Sequence, residues 1–331
     1  MTVLDGVGVR RWSAVPLDPV HHPRIADFLS TTAGLSGRKF AADSRDVAEQ
    51  LASAYPEGAV TVLDAAGHVR GYAALHQPHG IQPEIVADFV FDPATPNWVL
   101  DDVVDVTVDR FLREAPAVPG AFLRAFVGSG QSRVIEALQR RGARREAQFI
   151  RTRKPLDDVD LAQLEGATID GLRVLSWPEV LRHGHSESVR RLQYDTFAEH
   201  FGNMSKTPEG WEHHLHSRAF APDFSLAAVD AADQVVGYVL GSTYIAGPAG
   251  AQEISAHTDY IGVHREHRRR GIAELLLGKI WLAARRRGLS LASLGTDIEN
   301  RSKAHLLYAR LGYVAVEHSA AYRIDTSEVT R

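Results

Sequence analysis

Between His264 and Glu274 the chain reads His-Arg-Glu-His-Arg-Arg-Arg-Gly-Ile-Ala-Glu. Arg268, Arg269 and Arg270 place three guanidinium groups directly before Gly271, Ile272, Ala273 and Glu274. A guanidinium pairs bidentately with phosphate oxygens. A helix beginning here adds main-chain N–H groups and the positive end of its dipole, which suits a phosphate or pyrophosphate. Small residues at 271 and 273 are expected to leave the backbone open to the anion. The plain alternative is a solvated basic loop. A second conspicuous cluster, His213, His214 and His216, invites a metal reading. Spacings of one and two along a helix do not converge on one ion, so no metal is expected.

The elements that must position this turn are legible from periodicity. The run 257–263 alternates as a strand, and Gly271 to Ala284 carries a helical apolar stripe. The same arrangement is foreshadowed earlier in the chain. The segment from Val60, "VTVLDAAGHVRGYAAL", aligns with "LAAVDAADQVVGYVLG" from Leu226, placing Gly71-Tyr72 on Gly237-Tyr238. Gly142 and Gly312 each end a helix before a final alternating segment. Two anchors at nearly equal displacement imply duplication. We expect two copies, 1–155 and 170–331, joined by a polar stretch containing Pro155 and Gly166. Each copy reads as helix, hairpin, strand, amphipathic helix, strand, helix, strand. The expected fold class is α/β, with two tandem domains, each a mixed, mostly antiparallel sheet flanked by helices.

Composition bounds the function. The 331 residues are 44% hydrophobic and 24% charged, with a formal net charge of −4. That profile is globular, and the acidic balance with no aromatic interleaving disfavours nucleic acid. No cysteine is present, which excludes disulfides, thiolate metal sites and a Cys nucleophile. No apolar run reaches membrane-spanning length, so no membrane partner is expected. The opening lacks a leader-like apolar core, and a cytoplasmic location is expected.

The strand, the R-x-x-G-x-A turn, the amphipathic helix and the later "ENRSKAHLLYARLGY" together resemble the Gcn5-related N-acetyltransferase (GNAT) family. The double-copy layout is similar to its tandem-type members, of which mycothiol synthase is typical. The resemblance implies acetyl-CoA as co-substrate. The backbone of Ile261, Gly262 and Val263 would pair with the pantetheine arm, residues 268–274 would hold the pyrophosphate, and Asn300 would contact the cofactor. Tyr308 would offer its hydroxyl to the thioester sulfur. Asn300 departs from the pattern, since it precedes Tyr308 by one residue more than is usual. An attacking amine must lose a proton. His257 and Asp259 share one strand face by period 2, and they and Glu253 are the candidate bases, alongside a water chain. The implied activity is transfer of an acetyl group to a small-molecule amine by direct attack in a ternary complex, by a monomer or homodimer. A CoA-binding pseudoenzyme is the alternative. His200, Phe201 and Trp211 are candidate acceptor-pocket residues. The first copy lacks the basic turn and has Leu138 opposite Tyr308, so it is expected to be catalytically silent. Its Gly-rich "FVGSGQSRV" is a minor candidate for holding an anion.

Overall fold

The computed structural model describes residues 12–31, 43–78, 81–198, 200–202, 204–246 and 252–327. The opening residues 1–11 and the end of the first expected helix, 32–34, lie outside them. Two compact units are present: Met1–Phe149 with Ile245–Gln252 and Glu317–Arg331, and Ile150–Tyr244 with Glu253–Val316. From Glu317 on, the chain's last strand therefore belongs to the unit built from its beginning.

In chain order the first unit contains β1 (Trp12–Pro16), α1 (His22–Thr31), α2 (Ser44–Leu51), β2 (Ala54–Asp64), β3 (Val69–His76), β4 (Glu84–Phe91), α3 (Asn97–Glu114), β5 (Phe122–Gly128), α4 (Ser132–Arg140) and the start of β6 (Arg144–Pro155). The second unit holds the rest of β6, then α5 (Leu161–Gly166), β7 (Leu172–Ser176), α6 (Trp177–Arg182), α7 (Ser186–Phe197), α8 (Pro208–His216), β8 (Leu226–Asp230), β9 (Val235–Ala246), β10 (Glu253–Val263), α9 (Ile272–Arg286), β11 (Leu291–Asp297) and α10 (Ala304–Arg310). The closing strand is β12 (Val314–Asp325).

Strands run β1-β2-β3-β4-β5-β12 in the first unit and β7-β8-β9-β10-β11 in the second. The registers of the first unit are antiparallel except for β4 with β5. In the second, β7, β8 and β9 are antiparallel and β10 with β11 is parallel. This is the mixed, mostly antiparallel α/β architecture expected from the sequence. The short first strand of each copy, β1 and β7, has no clear sequence signal. The stretch expected to be a plain linker contains α5, capped where Asp160 accepts from the Gln163 N–H.

The repeat's Asp-Ala-Ala turns have one physical cause. Asp64 accepts from the N–H groups of Ala66 and His68, and Asp230 accepts from those of Ala232 and Gln234. Such side-chain closure of a turn is what Asp does best. Gly67 and Asp233 occupy the left-handed position in each turn, with φ of 79° and 61°. The shared Gly71 and Gly237 mark close approaches. A Cβ on Gly71 would stand 2.5 Å from Phe91 Cδ1, and one on Gly237 would stand 2.7 Å from Ile272 Cγ2. The cores follow the helical stripes. Val99, Leu100, Val103, Val104, Val108 and Phe111 of α3 are buried, as are Ile272, Leu276, Leu277, Ile280 and Trp281 of α9.

Candidate functional site

The site in the second unit begins where two parallel strands part. β10 and β11 pair only at Ala256 with Ala292, His257 with Ser293 and Thr258 with Leu294. Beyond Thr258, β10 continues to Val263 and β11 to Asp297 without further pairing. An extended chain with amides can bond to such an edge as another strand does. Ile261 and Val263, half-buried, and the buried Gly262 lie on this open stretch. Gly262 is required by its neighbours, since a Cβ there would stand 2.6 Å from both Thr196 Oγ1 and Tyr238 Cε1. Tyr238 and Thr196 are themselves joined by a 3.0 Å hydroxyl hydrogen bond.

The strand leads into one 3₁₀ turn, Arg265–His267, and then into the basic segment. Arg268 donates from Nε to Val263 O at 3.2 Å, tying the turn to the strand end. Arg269 and Gly271 are left-handed, with φ of 64° and 80°. The first helical bond runs from Leu275 N to Gly271 O at 2.9 Å. Among the described residues the main-chain N–H groups of 269–274 have no acceptor. Six successive donors without acceptors at a helix mouth are an arrangement whose chemistry suits an anion. The side chains of Arg268, Arg269 and Arg270 are exposed around it. His264 and His267 flank it, each with a buried Nδ1 that has no hydrogen-bond partner among the described residues.

Gly271 holds a left-handed backbone that favours glycine, and among the described residues the only protein atom a Cβ there would meet is Ile169 Cδ1, at 3.8 Å, which leaves the space before the turn open. Ile272 is buried against β9 at Gly237 and fixes the start of α9. Burial of such a side chain stabilises by about 1.5–3 kcal/mol. Ala273 is half-buried, and the exposed Glu274 lies 3.9 Å from Arg310.

Tyr308, on α10, is buried, with its ring 6.1 Å from that of Tyr313. It belongs to the same packed cluster as Ile261 and Val263. Burial pushes its hydroxyl up to about 12, so it is a neutral donor at any physiological pH. Asn300 is engaged within the chain. Its Oδ1 accepts from Ser302 N, and its Nδ2 lies 3.0 Å from His200 Nδ1.

The three candidate bases are spread along β10. Glu253 is held by Arg151 and Arg153 at 2.8 and 3.1 Å. His257 is buried in the paired stretch, with Nδ1 2.8 Å from Ser293 Oγ and its ring stacked on Tyr244. Asp259 is half-buried at the first position past the pairing and accepts from Ser242 Oγ at 3.1 Å. Trp211 is not a pocket wall. It is buried, donates to Ser186 Oγ and packs edge-on to Trp177. His214 packs against Phe220 and Tyr260, while His213 and His216 are exposed. Among the described residues no group of three or more potential ligands could hold a metal ion.

Sequence reasoning located the matching region of the first unit but missed how its strand edge is bonded. There β4 and β5 pair from Glu84 with Phe122 to Ala87 with Ala125 and then part. Gln131, buried, accepts from Phe91 N at 3.0 Å and donates to Phe89 O at 3.2 Å. Arg133 donates to Pro93 O, Thr95 O and Asn97 Oδ1. The stretch "FVGSGQSRV" stood out for its glycines as an anion candidate, and nothing in it marks Gln131 and Arg133 as the residues that bond the β4 edge and the turn after it.

Residues 222–315 match the family model of the acetyltransferase (GNAT) domain. No curated protein matches the sequence. Among solved structures, a GCN5-related N-acetyltransferase from Sphaerobacter thermophilus is 21% identical with a TM-score of 0.68, covering 96% of both chains. A tandem GNAT protein from the clavulanic acid biosynthesis pathway is 17% identical with a TM-score of 0.66, covering 95% of this chain and 98% of that one. Saccharomyces cerevisiae N-myristoyltransferase, solved with myristoyl-CoA, is 10% identical with a TM-score of 0.62, covering 97% and 80%. At these identities the structures establish the fold. The likeness to mycothiol synthase in particular rests on sequence alone. No described helix is long and apolar enough to cross a membrane. The strand–turn–helix of the second unit thus falls inside the matched segment, and the chain is a GNAT-fold protein of two units whose residues 222–315 match the GNAT acetyltransferase family.

Proposed function

We propose that the second unit is an acyl-CoA-dependent N-acetyltransferase that moves an acetyl group from acetyl-CoA to the amine of a small molecule. The observation that carries this reading is the open edge of β10 running directly into the acceptorless amides of 269–274. Pantetheine amides pair with the edge at Ile261 to Val263, and the diphosphate sits on the amides, with Arg268 to Arg270 adding charge.

In the transfer step the neutral amine attacks the thioester carbonyl carbon, a C–N bond forms and the C–S bond breaks. Asp259, the candidate nearest the parting of the strands, takes the amine proton directly or through water. His257 lies behind it in the paired stretch, and Glu253 is engaged by two arginines. Tyr308, held near 12, is a weaker acid than a thiol near ~8.5. It therefore stabilises the departing thiolate by donating a hydrogen bond without giving up its proton.

A free-CoA release assay with an amine library tests the reading. Release that depends on both acetyl-CoA and one class of amine is expected. Stoichiometric binding of acetyl-CoA with no release for any amine would replace it with the pseudoenzyme. Running donors of increasing acyl length in the same assay reads donor preference.

A further inference from the structure

Ser53 lies in the first unit, between α2 and β2, and is exposed. Its Oγ is 3.0 Å from His76 Nδ1, and His76 Nε2 is 2.7 Å from Asp88 Oδ2. The His76 and Asp88 side chains are each only 5% exposed. A hydroxyl, an imidazole and a carboxylate are thus linked in a row from the surface inward.

The second copy shows that the strands do not need this row. The backbone bond from Gln77 N to Ser53 O recurs as Thr243 N to Ala219 O, and Asp92 N to Arg70 O recurs as His264 N to Val236 O. These registers place Ala219 opposite Ser53, Ser242 opposite His76 and Tyr260 opposite Asp88. The same ladder is built with none of the three. A buried imidazole–carboxylate pair is weak as a stabilising device compared with apolar packing, which leaves chemistry as the reason for it.

We propose that Ser53 is a nucleophile activated by His76, with Asp88 a positioning residue, and that the first unit accepts acyl groups from activated oxygen esters. Serine Oγ bonds to the acyl carbonyl carbon as His76 Nδ1 takes the hydroxyl proton. The substrate's C–O bond breaks, and the leaving alkoxide takes that proton back. Water then repeats the sequence on the seryl ester, releasing the carboxylic acid. In this tautomer His76 Nε2–H donates to Asp88. Ser53's own N–H has no acceptor among the described residues, which leaves a donor beside Oγ for the oxyanion.

A fluorophosphonate probe with peptide mapping of the whole chain tests this. Labelling at Ser53 is expected, lost in Ser53→Ala and slowed about 10²-fold in His76→Gln. No label at Ser53, or an equal rate in His76→Gln, would overturn the proposal. A second readout uses the absence of cysteine. Ser53→Cys supplies the chain's one thiol, whose reaction with an aromatic disulfide at neutral pH should slow about tenfold when the near-isosteric Asp88→Asn is added. An unchanged rate would show that Asp88 positions nothing, and would overturn the relay.

Discussion

At Phe89 O and Phe91 N the parted edge of β4 is bonded by the carboxamide of Gln131, whereas among the described residues the matching edge of β10, at Ile261 and Val263, receives one side-chain bond, from Arg268 Nε to Val263 O. The turns that follow differ in polarity as well. In the first unit the carbonyls of Pro93 and Thr95 face the Arg133 guanidinium, and Asp92 takes the Ala94 N–H. In the second, six successive amides have no acceptor among the described residues. One backbone plan therefore presents a filled, cation-satisfied loop in one copy and an open, anion-seeking loop in the other. Under the proposed function, Gln131 and Arg133 give the first unit from within the chain the hydrogen bonds that a ligand would make in the second.

The comparison can be broken most severely at Gly271. A β-branched residue cannot easily hold φ near 80°, so Gly271→Val should misdirect the amide row and weaken acetyl-CoA by about 10²-fold, or about 2.7 kcal/mol, in calorimetry. The same affinity in wild type and variant would remove the turn from the site. Next is Tyr308→Phe, which should lower kcat by about 10²-fold with acetyl-CoA affinity kept, as for loss of one transition-state donor. A fall in affinity with kcat intact would make Tyr308 a packing residue, like Leu138 opposite it.

Smaller effects sharpen the first unit. Gln131→Leu should strand Phe89 O and Phe91 N–H and destabilise by about 1–3 kcal/mol, read by denaturant unfolding, while leaving the affinity for acetyl-CoA unchanged. An altered affinity would mean that the first unit takes part in binding. The smallest effect is one of pH. Burial raises the Tyr308 hydroxyl from 10.0 to about 12, so the folded state holds this proton more tightly than the unfolded chain. The stability tied to the neutral phenol is complete below pH 10 and is lost as pH rises towards 12. Tyr308→Phe should flatten that part of the stability curve, and identical slopes would contradict the assigned burial.

Much of this was legible in residue order. The hairpin of each copy, found through the alignment of Gly71-Tyr72 with Gly237-Tyr238, and the helix mouth at Arg268–Gly271 were legible because each signal is local or periodic. The rest depends on residues far apart in the chain. That Gln131 fills the β4 edge is fixed by how far two strands part, and that Asn300 meets His200 depends on which loops converge. Trp211 was misread because an aromatic on a short helix looks alike on a pocket wall and in a core. That Gly271 also holds a left-handed backbone angle is a second demand on the position that the sequence does not carry.

Titration calorimetry of acetyl-CoA into the whole chain tests the central contrast most directly. One open and one filled cleft predict a single equivalent bound per chain. Two equivalents, or none, would contradict the account.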